Sequence, residues 1–237
     1  LQPLGEPGAV DGFLLKSRSP SCGVKDVKIY PAADAKNTGE RGSGFFGGAV
    51  EERMPLTAIE EEGRLNNFRL REHFYTRIWT AADFRRVAAA PRMKEIVDFQ
   101  TRHKLMLMAY SQTKMRELGR IVANPDHAPA DEVVRRYGET LAAAMAKPPR
   151  FTSNINVLMH AFGYFSKELT AEEKAFFLDS LEEYRAEKIP LSACQRIVMS
   201  WIVRFSEPYL ARQTYFQPYP PGLVEITDSG KGRKLSH

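Results

Sequence analysis

The sequence predicts an α+β protein, in which a partial α/β domain over residues 1–83 is followed by an all-α domain over residues 84–237. Two observations support this division. In the first part, short apolar or alternating runs are separated by glycine-rich loops and a window with helical spacing, a pattern typical of α/β folds. From about residue 84 the strand-like alternation stops, and long windows with helical spacing follow one another.

The first domain is predicted to hold three short strands and two helices. Residues 10–16, "VKDVKIY" at 24–30 and "LTAI" at 56–59 have strand patterns. The glycine-rich stretch before the third strand is predicted as a loop that leads into a short helix, and residues 68–84 have the apolar spacing of a longer helix. This order indicates a Rossmann-like arrangement, although 83 residues are too few for a complete doubly wound sheet.

The second domain is predicted to contain six or seven helices, because capping signals recur at the spacing of helix ends. Ser111 is placed to cap a helix that ends at Asn124, just before a proline. Thr170 and Glu173 have the spacing of a capping box. Pro208 is expected to bend or break the last long window.

The composition, with 43% apolar and 27% charged residues, is that of an ordinary globular protein. No run of 18 apolar residues is present and no export signal opens the chain, so no membrane span is predicted. Two cysteines favour a reducing, cytoplasmic location over a disulfide framework. The chain opens without a methionine, which suggests that an upstream part of the first domain is missing. Its polar, basic tail at 228–237 is predicted to be mobile.

The positive charge is concentrated in the middle of the chain. Residues 84–150 contain 13 Lys and Arg against 7 Asp and Glu, whereas the flanking parts are nearly balanced. A local excess of this kind favours a polyanionic partner such as a nucleic acid, although an ordinary solvated basic face would have the same composition.

Cys22 lies in a "SPSCG" turn between two predicted strands. Small polar neighbours are expected to leave backbone N–H groups and hydroxyls free to surround the sulfur, and Lys16 and Arg18 add positive charge nearby. A nucleophile, a metal ligand, a cluster ligand and a buried structural cysteine all fit this setting. Cys194 lies in an apolar helical window and is predicted to be packed in the core.

Three consecutive carboxylates stand in the phrase "EEEGRL". Glu61 and Glu62, with Arg64 beside them, are candidates for acid–base chemistry or metal binding. Because adjacent side chains point in different directions, ion pairing of one or two of these carboxylates with nearby arginines is the structural alternative.

Several residues of the helical domain are candidates for nucleic-acid binding. On a helix, Asn156, His160 and Tyr164 recur every four residues and share one face, while Gly163 lets a neighbour approach closely. A polar seam between helices would explain this spacing equally well. His103 with Lys104 is a similar candidate, for which burial in the core is the alternative.

Basic residues supply the remaining candidates. Those spaced one turn apart can form a stripe that reaches phosphates, and an ordinary solvated face is again the alternative. The candidates are Arg116, Arg120, Arg135, Arg136, Lys147 and Arg150.

Phrases along the whole chain resemble known families. "DGFLLKSRSPSCGVKDVKIY", "GSGFF" and "PLTAIEEEGRLNNFRLREHFYTRIW" resemble the second half of the thiouracil desulfidase (TudS-like) family. "RHKLMLMAYSQ", "RELGRIVAN", "NVLMHAFGYFSKEL" and "QTYFQPYP" resemble the YbgA-like helical domain. The fused order resembles RudS-type proteins, which remove sulfur from 4-thiouridine in tRNA.

The resemblance implies a non-redox, iron–sulfur-dependent desulfuration of a thio-nucleobase, with tRNA as the partner. It implies a 4Fe–4S cluster held by three cysteines, among which Cys22 matches the third ligand, and Ser19 matches the serine beside the substrate sulfur. The other two cysteines and a proton-handling glutamate belong to N-terminal phrases that this sequence lacks. The alternatives are a non-catalytic RNA-binding helical module with a vestigial first domain, and a desulfidase of free thiouracil. The sequence predicts no oligomeric state.

Overall fold

The computed structural model describes residues 10–30, 40–54 and 57–223, so the predicted mobile tail at 228–237 lies outside the described residues. The described residues are mostly helical and contain four short strands. This confirms the predicted helical domain.

The chain divides into two compact units. One is drawn from Leu1–Arg86 and Tyr219–His237, and the other is Val87–Pro218. The boundary predicted between residues 83 and 84 falls inside a helix, α2, which covers Phe68–Ala89.

The first unit contains a parallel strand pair and a hairpin. Its elements are β1 (Gly12–Leu15), β2 (Val27–Ile29), β3 (Glu40–Gly42), α1 (Phe45–Arg53), β4 (Ala58–Glu61) and α2. β1 pairs in parallel with β4, from Gly12 opposite Ala58 to Leu15 opposite Glu61, and β2 pairs in antiparallel fashion with β3. A parallel pair needs a crossover connection, and α1 lies in it. The three predicted strands are therefore confirmed, while β3 was not predicted.

The second unit is a set of helices. They are α3 (Met93–Tyr110), α4 (Gln112–Ala123), α5 (Ala130–Ala144), α6 (Phe151–Gly163), α7 (Ala171–Arg185), α8 (Leu191–Phe205) and α9 (Pro208–Ala211). The Ser111 hydroxyl accepts from Lys114 N–H, as predicted for an N-cap. Thr170 and Glu173 form the predicted capping box. Pro208 begins α9 rather than bending α8, because Ser206 adopts a left-handed conformation that ends α8 first.

Aromatic side chains fill the core of the helical unit. Phe99 packs edge-on against Tyr137 at 5.8 Å between ring centroids, and Phe177 packs against Trp201 at 5.1 Å. All four side chains are buried. Within the described residues, no helix combines the length and apolar content needed to cross a bilayer.

Candidate functional site

The Cys22 turn is closed by the residue at its start, Ser19. The Ser19 hydroxyl oxygen accepts from Ser21 N–H at 3.3 Å and from Cys22 N–H at 3.1 Å, and its carbonyl accepts from Gly23 N–H at 2.9 Å. Cys22 itself is partly exposed. The turn therefore presents the thiol from a hydrogen-bonded backbone frame.

The start of α1 packs directly against the carbonyl groups of this turn. Gly44 N–H donates to Gly23 O at 2.7 Å, and Phe46 N–H donates to Ser21 O at 2.8 Å. A Cβ at Gly44 would lie 2.5 Å from Ser21 O, and one at Gly47 would lie 2.4 Å from Gly23 O. Glycine is required because backbone meets backbone here.

The end of β4 holds the other side of the turn. Glu61 is buried, and its Oε1 accepts from Val24 N–H at 2.8 Å and Lys25 N–H at 3.4 Å. The Glu62 carboxylate accepts from Ser17 N–H at 2.7 Å and pairs with Lys16 at 2.9 Å. The hydrogen bond from Lys16, followed by that from Ser17, lowers the pKa of Glu62 to about 2. Glu61 therefore holds the backbone just after the Cys22 turn, and Glu62 holds the chain just before it.

Two further ion pairs lie near the turn. Glu60 bonds to Arg64 at 2.6 Å, as the ion-pair alternative predicted, and Arg18 lies 3.7 Å from Asp26. The expectation that backbone N–H groups surround the Cys22 sulfur is wrong for this turn, because those groups are taken by Ser19 and Glu61.

A complete cluster site is not present among the described residues. They contain no group of three His, Cys, Asp or Glu side chains placed to hold one metal ion. The other cysteine, Cys194, is fully buried, its thiol donates to Ser180 O at 3.4 Å, and burial raises its pKa to about 11. Cys22 can serve as one cysteine ligand of a 4Fe–4S cluster. The described residues do not supply the other ligands that a complete cluster needs.

Six predicted basic residues of the helical unit are exposed and make no ion pair within the described part of the chain: Lys104, Arg116, Arg120, Arg136, Lys147 and Arg150. Arg116 and Arg120 lie one turn apart on α4, as predicted. Arg135 differs, because it pairs with Glu139 at 2.8 Å on α5.

The predicted row on α6 is a solvent-facing surface. Asn156, His160 and Tyr164 are all exposed, so the alternative of a buried seam is wrong. The close approach expected at Gly163 is also wrong, because a Cβ there would meet nothing within 4 Å. The Tyr164 ring stacks on that of Tyr209 with centroids 5.8 Å apart and planes at 16°.

His103 belongs to the core, in agreement with the alternative stated for it. Its side chain is 3% exposed and stacks on Phe99 at 4.0 Å, and its Nδ1 lies 3.0 Å from Thr214 Oγ1. A buried ring cannot touch a nucleic acid on the surface, so we leave His103 out of the candidate interface. The neighbouring Gln213, which sequence reasoning missed, fixes this part of α3 through its buried amide.

The family match lies almost wholly in the helical unit. Residues 104–220 match the model of a family described as "Protein of unknown function (DUF1722)". The chain is 27% identical over 136 residues to the uncharacterized protein YbgA of Escherichia coli (strain K12), an alignment that covers 57% of this chain and 80% of YbgA. No solved structure matches the chain. The chain is therefore similar to YbgA, and the family match lies in its helical part.

Proposed function

We propose that this chain takes part in the desulfuration of a thio-nucleobase, with 4-thiouridine in tRNA as the substrate, and that its helical unit binds the RNA. The supporting observation is Cys22, a partly exposed thiol on a turn whose backbone is held by α1 on one side and Glu61 on the other. A thiol that serves packing alone is buried, as Cys194 is. A partly exposed thiol on a fixed turn is accessible to a metal or a substrate.

The proposed reaction exchanges sulfur for oxygen without a change in redox state. Water adds its oxygen to the thiocarbonyl carbon, the carbon–sulfur bond breaks, and sulfide leaves with the two hydrogens of the water. Ser19 is the residue of this chain proposed to contact the sulfur. Its hydroxyl oxygen already accepts two backbone N–H groups, so the group it offers to the substrate is its hydrogen.

The proposed cofactor is a 4Fe–4S cluster with Cys22 as one of three cysteine ligands. The only other cysteine in the sequence is Cys194, which is buried. The two further cysteine ligands would therefore have to come from sequence outside these 237 residues. A Rossmann-like sheet completed around the parallel pair of β1 and β4 belongs to the same proposal. We expect a cytoplasmic location, where tRNA is found.

The test is the iron content and sulfide release of protein from the complete reading frame, reconstituted without oxygen. Cys22→Ser should lose iron, and Cys194→Ser, the matched control, should keep it. Ser19→Ala should release sulfide roughly 10- to 100-fold more slowly, because it removes the proposed hydrogen bond to the substrate sulfur and the two backbone hydrogen bonds that hold the Cys22 turn. Unchanged iron in Cys22→Ser would remove this residue from the ligand set. Preference for free thiouracil over tRNA would support the small-molecule alternative.

A non-catalytic RNA-binding module is the second candidate. The exposed arginines without ion pairs in the described helices favour it, because they serve phosphate binding whether or not the first unit is active. It predicts that the complete protein binds tRNA, contains no iron and releases no sulfide.

A further inference from the structure

The segment around α6 is free of acidic residues. No Asp or Glu occurs between Glu139 and Glu168 in the sequence. The cations in this interval, Lys147, Arg150 and Lys167, are all exposed. A polyanion on this surface would therefore meet attraction from nearby residues of the segment and no repulsion from them.

Hydrogen-bonding side chains line the exposed face of α6 at one-turn intervals. Thr152, Asn156 and His160 are spaced four residues apart, so they lie in one row along the helix. Within the described ranges these side chains make no hydrogen bond to another residue. Their polar groups are thus available to a ligand that lies along the helix.

The row ends at an aromatic platform. Tyr164 is 53% exposed, and because one side of its ring stacks on Tyr209, the other side is open to a flat ligand. The open space at Gly163 leaves room for that ligand beside the helix end. Stacking on tyrosine suits any nucleobase, since every base has an aromatic face.

We propose that the α6 face from Arg150 to Lys167 binds single-stranded or looped RNA, with one unstacked base lying on the Tyr164 ring. This rests on the proposed RNA binding and specifies its surface and the form of the RNA. Phosphates lie near Lys147 and Arg150, where the N-terminus of α6 adds its partial positive charge. The distance from Arg150 to Tyr164 along the helix is about 21 Å, which is room for several nucleotides. A blunt duplex offers no free base to the tyrosine.

The experiment measures binding of a fluorescent, unmodified RNA hairpin with a single-stranded loop, and of a blunt RNA duplex of equal charge. Tyr164→Ala should weaken hairpin binding about 5- to 100-fold and leave duplex binding unchanged. Tyr164→Phe keeps the aromatic face and should bind as the unchanged protein does. Phe176→Ala is the matched control, because it removes a 64% exposed aromatic ring from the acidic helix α7 and should have no effect.

Two outcomes would overturn the inference. Hairpin binding that survives Tyr164→Ala would show that RNA lies elsewhere on the protein. A wild-type protein that binds neither RNA would leave the α6 face to another partner, such as an acidic protein segment. Because the RNA probes are unmodified, failure of desulfuration in the iron and sulfide assay would not affect this result. Unfolding midpoints of the variants separate lost contacts from lost structure.

Discussion

The side chain of Gln213 is hydrogen-bonded to the backbone of Leu105 in the middle of α3. Its Oε1 accepts from Leu105 N–H at 3.1 Å, and its Nε2 donates to Thr101 O at 2.8 Å. These two backbone groups are the donor and acceptor of one i→i−4 helical pair, so the amide bonds to both ends of that pair. Gln213 is 3% exposed, so the bonds are made away from water.

Replacing Gln213 by leucine should destabilise the protein by about 2–4 kcal/mol, because the variant keeps the volume but leaves buried backbone groups without the amide. The measurement is the urea midpoint at constant slope. Gln217→Leu, a change at an exposed position of the same segment, should stay within about 0.5 kcal/mol of the unchanged protein. Equal shifts in the two variants would mean that the two hydrogen bonds of the Gln213 amide contribute nothing to stability.

The contact between α1 and the Cys22 turn makes Gly47 sensitive to substitution. Gly47→Ala should cost on the order of 1–3 kcal/mol, because the new methyl group meets the Gly23 and Cys22 carbonyl oxygens, which cannot move alone. Gly48→Ala is the control on the same helix, since its methyl group meets only the Ser43 side chain, which can rotate away. Thermal unfolding of both variants checks the difference, and a Gly47→Ala protein as stable as Gly48→Ala would contradict the packing described here.

Two adjacent residues on α2, Glu72 and His73, make contributions to stability that change with pH in opposite directions. Burial raises the pKa of Glu72 to about 7, against a hydrogen bond from Tyr219 that lowers it. Burial and the nearby Arg77 lower the pKa of His73 to about 3. Glu72 therefore favours the folded state at low pH, and this contribution is lost as the pH rises from about 4.5 to 7. The contribution of His73 is lost as the pH falls from about 6.5 to 3.

Between about pH 4.5 and 6.5 the two contributions cancel, and single substitutions should separate them. Relative to the unchanged protein, Glu72→Gln should lose stability as the pH falls through this range, by up to about 1.4 kcal/mol per pH unit. His73→Gln should gain stability over the same range. Unfolding free energies measured across it would decide, and profiles parallel to that of the unchanged protein would show that neither group is perturbed.

Local signals explain how much of the fold was predictable. The capping box of Thr170 and Glu173 and the Ser111 cap depend on residues three positions apart, so the sequence alone contains them. The positions of three strands and of the helices in the second half follow from the spacing of apolar residues. The resemblance to the YbgA-like helical domain was noted from phrases that lie on α3, α4 and α6.

Contacts between distant residues were not predictable in this way. The Glu61 carboxylate accepts from Val24 N–H across 37 residues, and the Gln213 amide accepts from Leu105 N–H across 108 residues. No local sequence pattern indicates that these side chains bond to a distant backbone. The same limit applies to His103, whose burial depends on which side of α3 meets Thr214. Whether Asn156, His160 and Tyr164 form a seam between helices or an exposed surface depends on how the helices pack. The spacing of these residues in the sequence therefore could not decide it.

The two cysteines should differ sharply in reactivity. In the 237-residue chain without bound metal, Cys22 should react with an aromatic disulfide reagent in the native state, because its thiol is partly exposed. Cys194 should react only after unfolding, because it is buried and its pKa is raised to about 11. Release of chromophore before and after adding denaturant counts the thiols, and Cys22→Ser assigns them. Two thiols that react at the same native rate would refute this assignment.

Salt dependence can show whether the arginines on α4 touch phosphates. Each phosphate contact releases counterions, so replacing Arg116 or Arg120 by glutamine should lower the slope of log affinity for tRNA against log salt by about one. Arg135→Gln removes the same charge from α5, but Arg135 is already paired with Glu139, so its slope should stay unchanged. Titrations at several salt concentrations provide the slopes. If all three variants lower the slope equally, the effect comes from net charge alone, and the stripe on α4 makes no direct contact with RNA.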